Sequence, residues 1–164
     1  MATVTGDITI KVGWTFSGGN SLSPTKNAGS MGGAKTLTAG SGPDAVTKVW
    51  RGQVTAPAAT TTNVDLAGVL TDFEGATITF AAIKTILVEL VATSGTDSAD
   101  AQIDGSATNA FLNWTVPLKK NCRTALTTDD ATGWPVTAGT GDILALKNNN
   151  SSLTATFNMT ILGN

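Results

Sequence analysis

Polar and apolar residues alternate most cleanly near the two ends of the chain. Across 7–16, Ile8, Ile10, Val12, Trp14 and Phe16 share one face, and Thr9, Lys11, Gly13 and Thr15 share the other. That two-residue period is the signature of a half-buried antiparallel strand, and it predicts Trp14 and Phe16 in the core. Across 152–162, Leu153, Ala155, Phe157, Met159 and Ile161 alternate with Thr154, Thr156, Asn158 and Thr160. The run 142–147 precedes it, with Ile143 on one apolar line and Leu144 and Leu146 on another. Asn148-Asn149-Asn150-Ser151 lies between the two runs, and such residues tolerate the left-handed backbone of a tight turn. The pattern predicts a hairpin.

The longest apolar stretch is 76–93, ATITFAAIKTILVELVAT, with charges only at Lys84 and Glu89. A helical and a strand period both fit it. The β-branched residues Thr77, Ile78, Thr79, Ile83, Thr85, Ile86, Val88 and Val91 favour a pleated sheet. The stretch therefore predicts strands at 77–80 and 85–93, joined by a short helical turn at 81–84. Apolar residues on both faces of 85–93 place that strand centrally, covered on both sides. Further strands are predicted at 46–56, 63–66 and 122–128, with a weak one at 100–104 and a strand or packed loop at 109–116. About eight strands, turn-rich connections and no amphipathic helix predict an all-β chain. The expected architecture is one domain over 1–164, an antiparallel β-sandwich of Greek-key or jelly-roll-like form.

Residues 17–44, SGGNSLSPTKNAGSMGGAKTLTAGSGPD, break the pattern. Their Gly, Ser and Asn content predicts a long loop, either a flexible solvent loop or an arm that orders against a neighbouring subunit. Leu22, Met31 and Leu37 are its apolar anchors and the candidate partner contacts, and the glycines fit no Walker or dinucleotide pattern.

Composition narrows the function. Charged residues make up 13% of the 164 and the net charge is −2, so ten Lys and Arg form neither a nucleic-acid face nor a basic membrane patch. Histidine is absent, which removes Ser-His-Asp and Cys-His arrangements and imidazole metal ligands. The single Cys122 rules out an internal disulfide. Asp97, Asp100 and Asp104 cluster at one turn and Asp129 and Asp130 at another, without the spacing of a calcium loop. The expectation is no enzyme, no catalytic residue, no cofactor and no required metal. Of the four tryptophans, Trp134, in Gly133-Trp134-Pro135, is best placed for an exposed contact, with packing beneath a loop as the plainer alternative. The opening MATVTGDITIKV lacks a basic segment followed by an apolar one, so the expected site of synthesis is a cytoplasm.

Three patches together form a larger pattern. They are VWRGQV followed by NVDLAGVLTDFEGATITFAAIKTILVEL; then ATNAFLNW; then GWPVTAGTGDILALKN ending in FNMTILGN. In order and spacing they resemble small β-rich virion proteins encoded among bacteriophage structural genes. The match runs from about Val49 to the C-terminus. It departs from the family at Lys119-Lys120-Asn121, where relatives carry a Pro-Gly turn. The resemblance implies a virion component without enzymatic activity. Its most specific form is a capsid decoration (cement) protein that binds the outer shell and ties capsomer junctions. That form implies self-association as a homotrimer, the major capsid protein or another virion protein as partner, and residence in the virion. A receptor- or glycan-binding fibre or adhesin module is the alternative.

Overall fold

The computed structural model describes residues 5–20, 23–40, 42–68, 70–72, 74–91, 100–128 and 130–164. Among them every regular element is a strand. The chain opens with two long strands, β1 (Gly6–Asn20) and β2 (Ser23–Ala39), then β3 (Ala45–Val46), β4 (Lys48–Ala56) and β5 (Thr61–Asp65). Two short pairs of residues, β6 (Leu70–Thr71) and β7 (Thr77–Ile78), lead into β8 (Ala82–Val91). β9 (Asp100–Ile103), β10 (Val116–Lys119), β11 (Arg123–Thr127) and β12 (Trp134–Pro135) follow, and β13 (Ile143–Asn148) and β14 (Ala155–Gly163) end the chain.

The body is an antiparallel sandwich. One sheet has the order β10-β9-β13-β5; the other has the order β11-β8-β14-β4, with β12 also pairing with β8. The last two strands are inserted centrally, β13 between β9 and β5, β14 between β8 and β4. Alternation dictates what each strand buries. Ala155, Phe157, Met159 and Ile161 of β14 are buried, while Thr156, Asn158 and Thr160 are only half-buried on the outer face. They meet Ile86, Val88 and Leu90 from β8 and Leu144, Leu146, Ile103 and Leu118 from the facing sheet in one core.

The predicted hairpin at 142–162 does not form. β13 and β14 belong to opposite sheets, so the connection between them crosses the sandwich. A two-residue hairpin turn of the favoured kind needs positive φ at its central residue or residues, and none of 148–151 has it. Asn148 instead staples the crossing. Its buried Nδ2 donates to the carbonyls of Ala56 (3.1 Å), Pro57 (3.0 Å) and Leu153 (2.7 Å), and its Oδ1 accepts the Asn150 N–H (3.0 Å). The turn chemistry was legible; its use as a corner between sheets was not.

The helical turn expected at 81–84 is also absent. Ile83, Lys84, Thr85 and Ile86 are four consecutive buried residues inside β8. The register explains them: Leu162 faces Thr85 but Gly163 faces Ile83, which leaves Lys84 as the extra residue of a β-bulge. The fully buried Lys84 ammonium donates to the carbonyl of Ala131 at 2.8 Å and also to that of Asp130. The bulge thereby holds the connection between β11 and β12 in place. β8 is covered on its inner face, but on its outer face Leu87 remains 38% exposed.

The largest departure lies at 17–44. Of the described residues there, 17–20 and Ser23–Ala39 are strand, and only 40 and 42–44 form a turn. β1 and β2 pair antiparallel without interruption from Gly6↔Leu37 to Asn20↔Ser23, a two-stranded ribbon of 15 residue pairs. At ~3.4 Å per residue it is about 50 Å long. The first strand therefore belongs to the ribbon, outside the sandwich.

Candidate interaction surface

Directly opposed residues of an antiparallel pair share a face. One ribbon face is thus defined by the pairs Ile8↔Lys35, Ile10↔Gly33 and Val12↔Met31, the other by Thr9↔Ala34, Lys11↔Gly32 and Gly13↔Ser30. The first is apolar and the second polar.

Cover over the apolar face is lost with distance from the body. At the base, Leu37 is fully buried in a small second core with Val46 and Leu162, against which Ile8 and Val49 pack. β2 continues there as a short parallel pair with β3, Thr38↔Ala45 and Ala39↔Val46, and Lys35 forms an ion pair with Asp44. Asp7 Oδ1 accepts a hydrogen bond from Thr36 Oγ1 at 2.7 Å. One step further out, Ile8 and Ile10 line a cavity of about 250 Å³ with Thr85, Leu87, Ala125, Thr160 and Leu162 of the outer sheet face. Ile10 is already 44% exposed. Beyond it Val12 is 62% and Met31 74% exposed.

These are three of only five large apolar residues that are exposed among those described. The expectation that the Ile8–Val12 face is buried is therefore wrong beyond Ile8. The alternation in β1 is real, but among the described residues its cover fades beyond Ile8, and Val12 and Met31 are left exposed. Gly32 fixes the close approach of the two strands: at φ 149° a Cβ there would stand 2.1 Å from the Ile10 carbonyl oxygen.

The candidate contacts separate accordingly. Met31 is on the exposed apolar face. Leu37 is buried in this chain's own second core and is not available to a partner. Leu22 lies outside the described residues, and so do the side chains of Trp14 and Phe16. Trp134 is half-buried, paired through its backbone with Ile83 and packed against the main core, so it is no exposed platform. Gly133, at φ 68°, brings it there, since a Cβ would meet the Ile83 carbonyl oxygen at 2.6 Å. Among the tryptophans whose side chains are described, Trp114 is the exposed one (46%), in the bends before β10. The exposure of Ile10 and Val12 is not legible in the sequence, because strand alternation alone does not say whether the chain itself covers the apolar face.

The acidic turns are occupied by local hydrogen bonds. Asp104 accepts from Ser106 Oγ (2.7 Å) and Ser106 N (3.0 Å), and these bonds hold its carboxyl below the ordinary value of 3.8. Asp130 accepts from Thr132 Oγ1 (2.5 Å) and Thr132 N (2.7 Å), with the same consequence. Asp100 pairs with Lys119 at 3.1 Å, whereas Asp97 and Asp129 lie outside the described residues. Glu89 faces Arg123 across the β8–β11 pair, with 2.5 Å between their charged atoms. Among the described residues no three carboxylate or cysteine side chains come together as a metal site.

Compared with protein-family models, with curated proteins and with solved structures, the chain matches nothing.

Proposed function

We propose that the chain is a structural, non-catalytic subunit that acts through self-association and docking, and that its setting is a bacteriophage particle, as a capsid decoration protein. One observation carries the reading: a ribbon about 50 Å long leaves a fully cored sandwich and exposes Ile10, Val12 and Met31 on a single face. Two strands alone are marginal in water, so such a ribbon gains its stability where a neighbour covers it. A cored block with a long apolar arm suits a protein that works in many symmetric copies on a shell, where weak contacts add. The low charge and absent histidine fit the same role. The phage setting rests on the motifs from Val49 onward, the partner being the major capsid protein or another virion protein.

The test is to add purified protein to particles stripped of it and locate it by cryo-electron microscopy. Density at capsomer junctions, with raised resistance of the shell to heat or osmotic shock, is the expected result. Density at a tail or fibre tip would replace this reading with the adhesin one. Trp114 is the observation favouring that second reading, because an exposed indole can stack on a sugar face. In that case Trp114→Ala would abolish glycan or cell binding and leave shell binding untouched.

A further inference from the structure

We infer that the ribbon is a strap that closes on this chain's own outer sheet, Ile10 onto Leu87, and so withholds its apolar face until assembly lifts it. This rests on the reading of the ribbon as an assembly element and adds how that element is regulated.

The first argument is where the exposed apolar residues lie. Of the five large ones among the described residues, Ile10, Val12 and Met31 are on the ribbon, and Leu87 is on the sheet face that the ribbon overhangs. Ile10 and Leu87 line the same gap of about 250 Å³. A recess of about 300 Å³ continues it between Ile8, Ile10, Gly33 and Thr127. Exposure rises in step on both sides. On the sheet it goes from 5% at Thr85 to 38% at Leu87; on the ribbon it goes from half-buried Ile8 to 44% at Ile10. The two surfaces form a wedge, shut at Leu37 and Leu162 and open beyond Ile10. Shutting it further takes Ile10 and Leu87 out of water together and needs no second molecule. Facing sheets stack at ~10 Å, so a shut wedge admits no partner layer over Ile10.

The second is the ground on which the strap lands. Register sets Ala125, Leu87 and Thr160 side by side across β11, β8 and β14, in the row beyond Thr127, Thr85 and Leu162. Over those three strands this row carries no charge. The row after it is polar, with Glu89 paired to Arg123 and Asn158 accepting a hydrogen bond from Gln53 at 3.0 Å. Ground for an apolar side chain therefore extends one row past the base, which is the place of Ile10.

The third is the hinge. Where the wedge opens, glycine interrupts both strands: Gly33 is paired with Ile10, Gly32 with Lys11 and Gly13 with Ser30. A Cβ at Gly33 would meet nothing within 4 Å, and one at Gly13 nothing nearer than 3.9 Å, so packing does not demand glycine at either. Glycine inside a strand weakens it and lets the ribbon bend at that level. Lys11 stays on the far face and Lys35 is paired with Asp44, so the bend buries no unpaired charge.

The test follows closure in the full chain carrying Cys122→Ser. Ile10→Cys with Leu87→Cys should form an internal disulfide under mild oxidation at least about ten times faster than Lys11→Cys with Leu87→Cys, because the bond needs Cβ atoms ~4 Å apart and Lys11 is on the far face. Spin labels at Ser30→Cys and Arg51→Cys should report a short and a long distance, the short one predominant. Leu87→Ser removes the landing ground and should move the population to the long distance. Gly13→Val stiffens the strand on the face away from the gap and should do the same. The oxidised Ile10→Cys, Leu87→Cys chain should bind particles stripped of this protein at least about tenfold more weakly than when reduced. With about nine in ten free chains closed, Leu87→Ser should bind them about tenfold more tightly than the parent. A single long distance unmoved by Leu87→Ser, or a disulfide no faster than in the Lys11 control, overturns the proposal. So does an oxidised chain that binds particles as tightly as the reduced one. Closure as described, in a protein that no variant brings onto particles, leaves the strap standing and removes the decoration role.

Discussion

β1 and β14 carry the same pattern and meet opposite fates. Each alternates apolar residues with mostly polar ones over about nine residues, Thr9, Lys11, Gly13 and Thr15 in β1 and Thr156, Asn158 and Thr160 in β14. In β14, Phe157, Met159 and Ile161 are buried because β8 and β4 flank the strand and a second sheet faces it. In β1, Ile8 is half-buried, Ile10 and Val12 are exposed, and β2 is the one strand paired with it among the described residues. The difference lies in the partner. Alternation gives a strand one apolar face, and the layers packed on it within the chain decide how far that face is buried.

The sharpest way to test that contrast is to make the same cut in both strands. Phe157→Ala removes a buried ring from between two sheets and should cost about 3–5 kcal/mol, a fall in melting temperature of roughly 10 °C or more. Val12→Ala, measured at concentrations where the chain is monomeric, should stay within about 0.5 kcal/mol of the parent. Equal losses in denaturant titrations would place the ribbon inside the cooperative core.

The corner at Asn148 tests how the body is closed. Asn148→Ala leaves the carbonyls of Ala56, Pro57 and Leu153 without their shared donor, at a cost of about 1–3 kcal/mol. Hydrogen exchange should quicken at the β4–β5 and β13–β14 connections and stay unchanged in the ribbon. An effect on the ribbon amides as large as on the body would erase the boundary between the two regions.

Legibility follows the same division. The sandwich was readable because its strands have internal partners: the inward lines of β4, β8, β11 and β14 are those that the two-residue period picks out. Three things were not. Lys84 was read as the end of a turn because a bulge leaves no signal beyond one misplaced polar residue. Asn148–Ser151 was read as a hairpin because corner and hairpin draw on the same turn-forming residues. β2 was read as a loop because glycine and serine lower strand propensity. What holds β2 extended is its antiparallel pairing with β1 over 15 residue pairs. Of the candidate contacts, Met31 is exposed, whereas Leu37, apolar in the same polar stretch, is buried against Val46 and Leu162, which are remote in sequence.

A smaller effect, confined to the body, is acid sensitivity at Asp104. Its hydrogen bonds from Ser106 lower its pKa in the folded chain relative to the unfolded one. The stabilisation is therefore complete above the unfolded value of about 3.9 and is lost as pH falls through the lowered folded value. Asp104→Asn keeps an acceptor for Ser106 and removes the titration, so melting temperature should fall less steeply below pH 4 than in the parent. Parallel curves for the two proteins would show that the Ser106 bonds survive protonation.

The smallest expected effect is on the body when the outer ribbon is removed. A deletion that reached residue 37 would take Leu37 out of the second core with Val46 and Leu162. The register offers a cleaner one. Lys11 and Gly32 are directly opposed, so replacing 12–31 with Asn-Gly closes the shortened ribbon in a two-residue turn. Gly6, Ile8, Lys35 and Leu37 keep their places at the base, and with them the Lys35–Asp44 pair and the cover over Leu162. Among the described residues, none of the main core lies in the deleted segment. The body should therefore melt within about 2 °C of a monomeric parent, equivalent to roughly 0.5–1 kcal/mol for a domain of this size. Self-association and particle binding should both be lost. A body that unfolds on this deletion would show that the outer ribbon folds back on its own sandwich, and the contrast between β1 and β14 would then be one of degree.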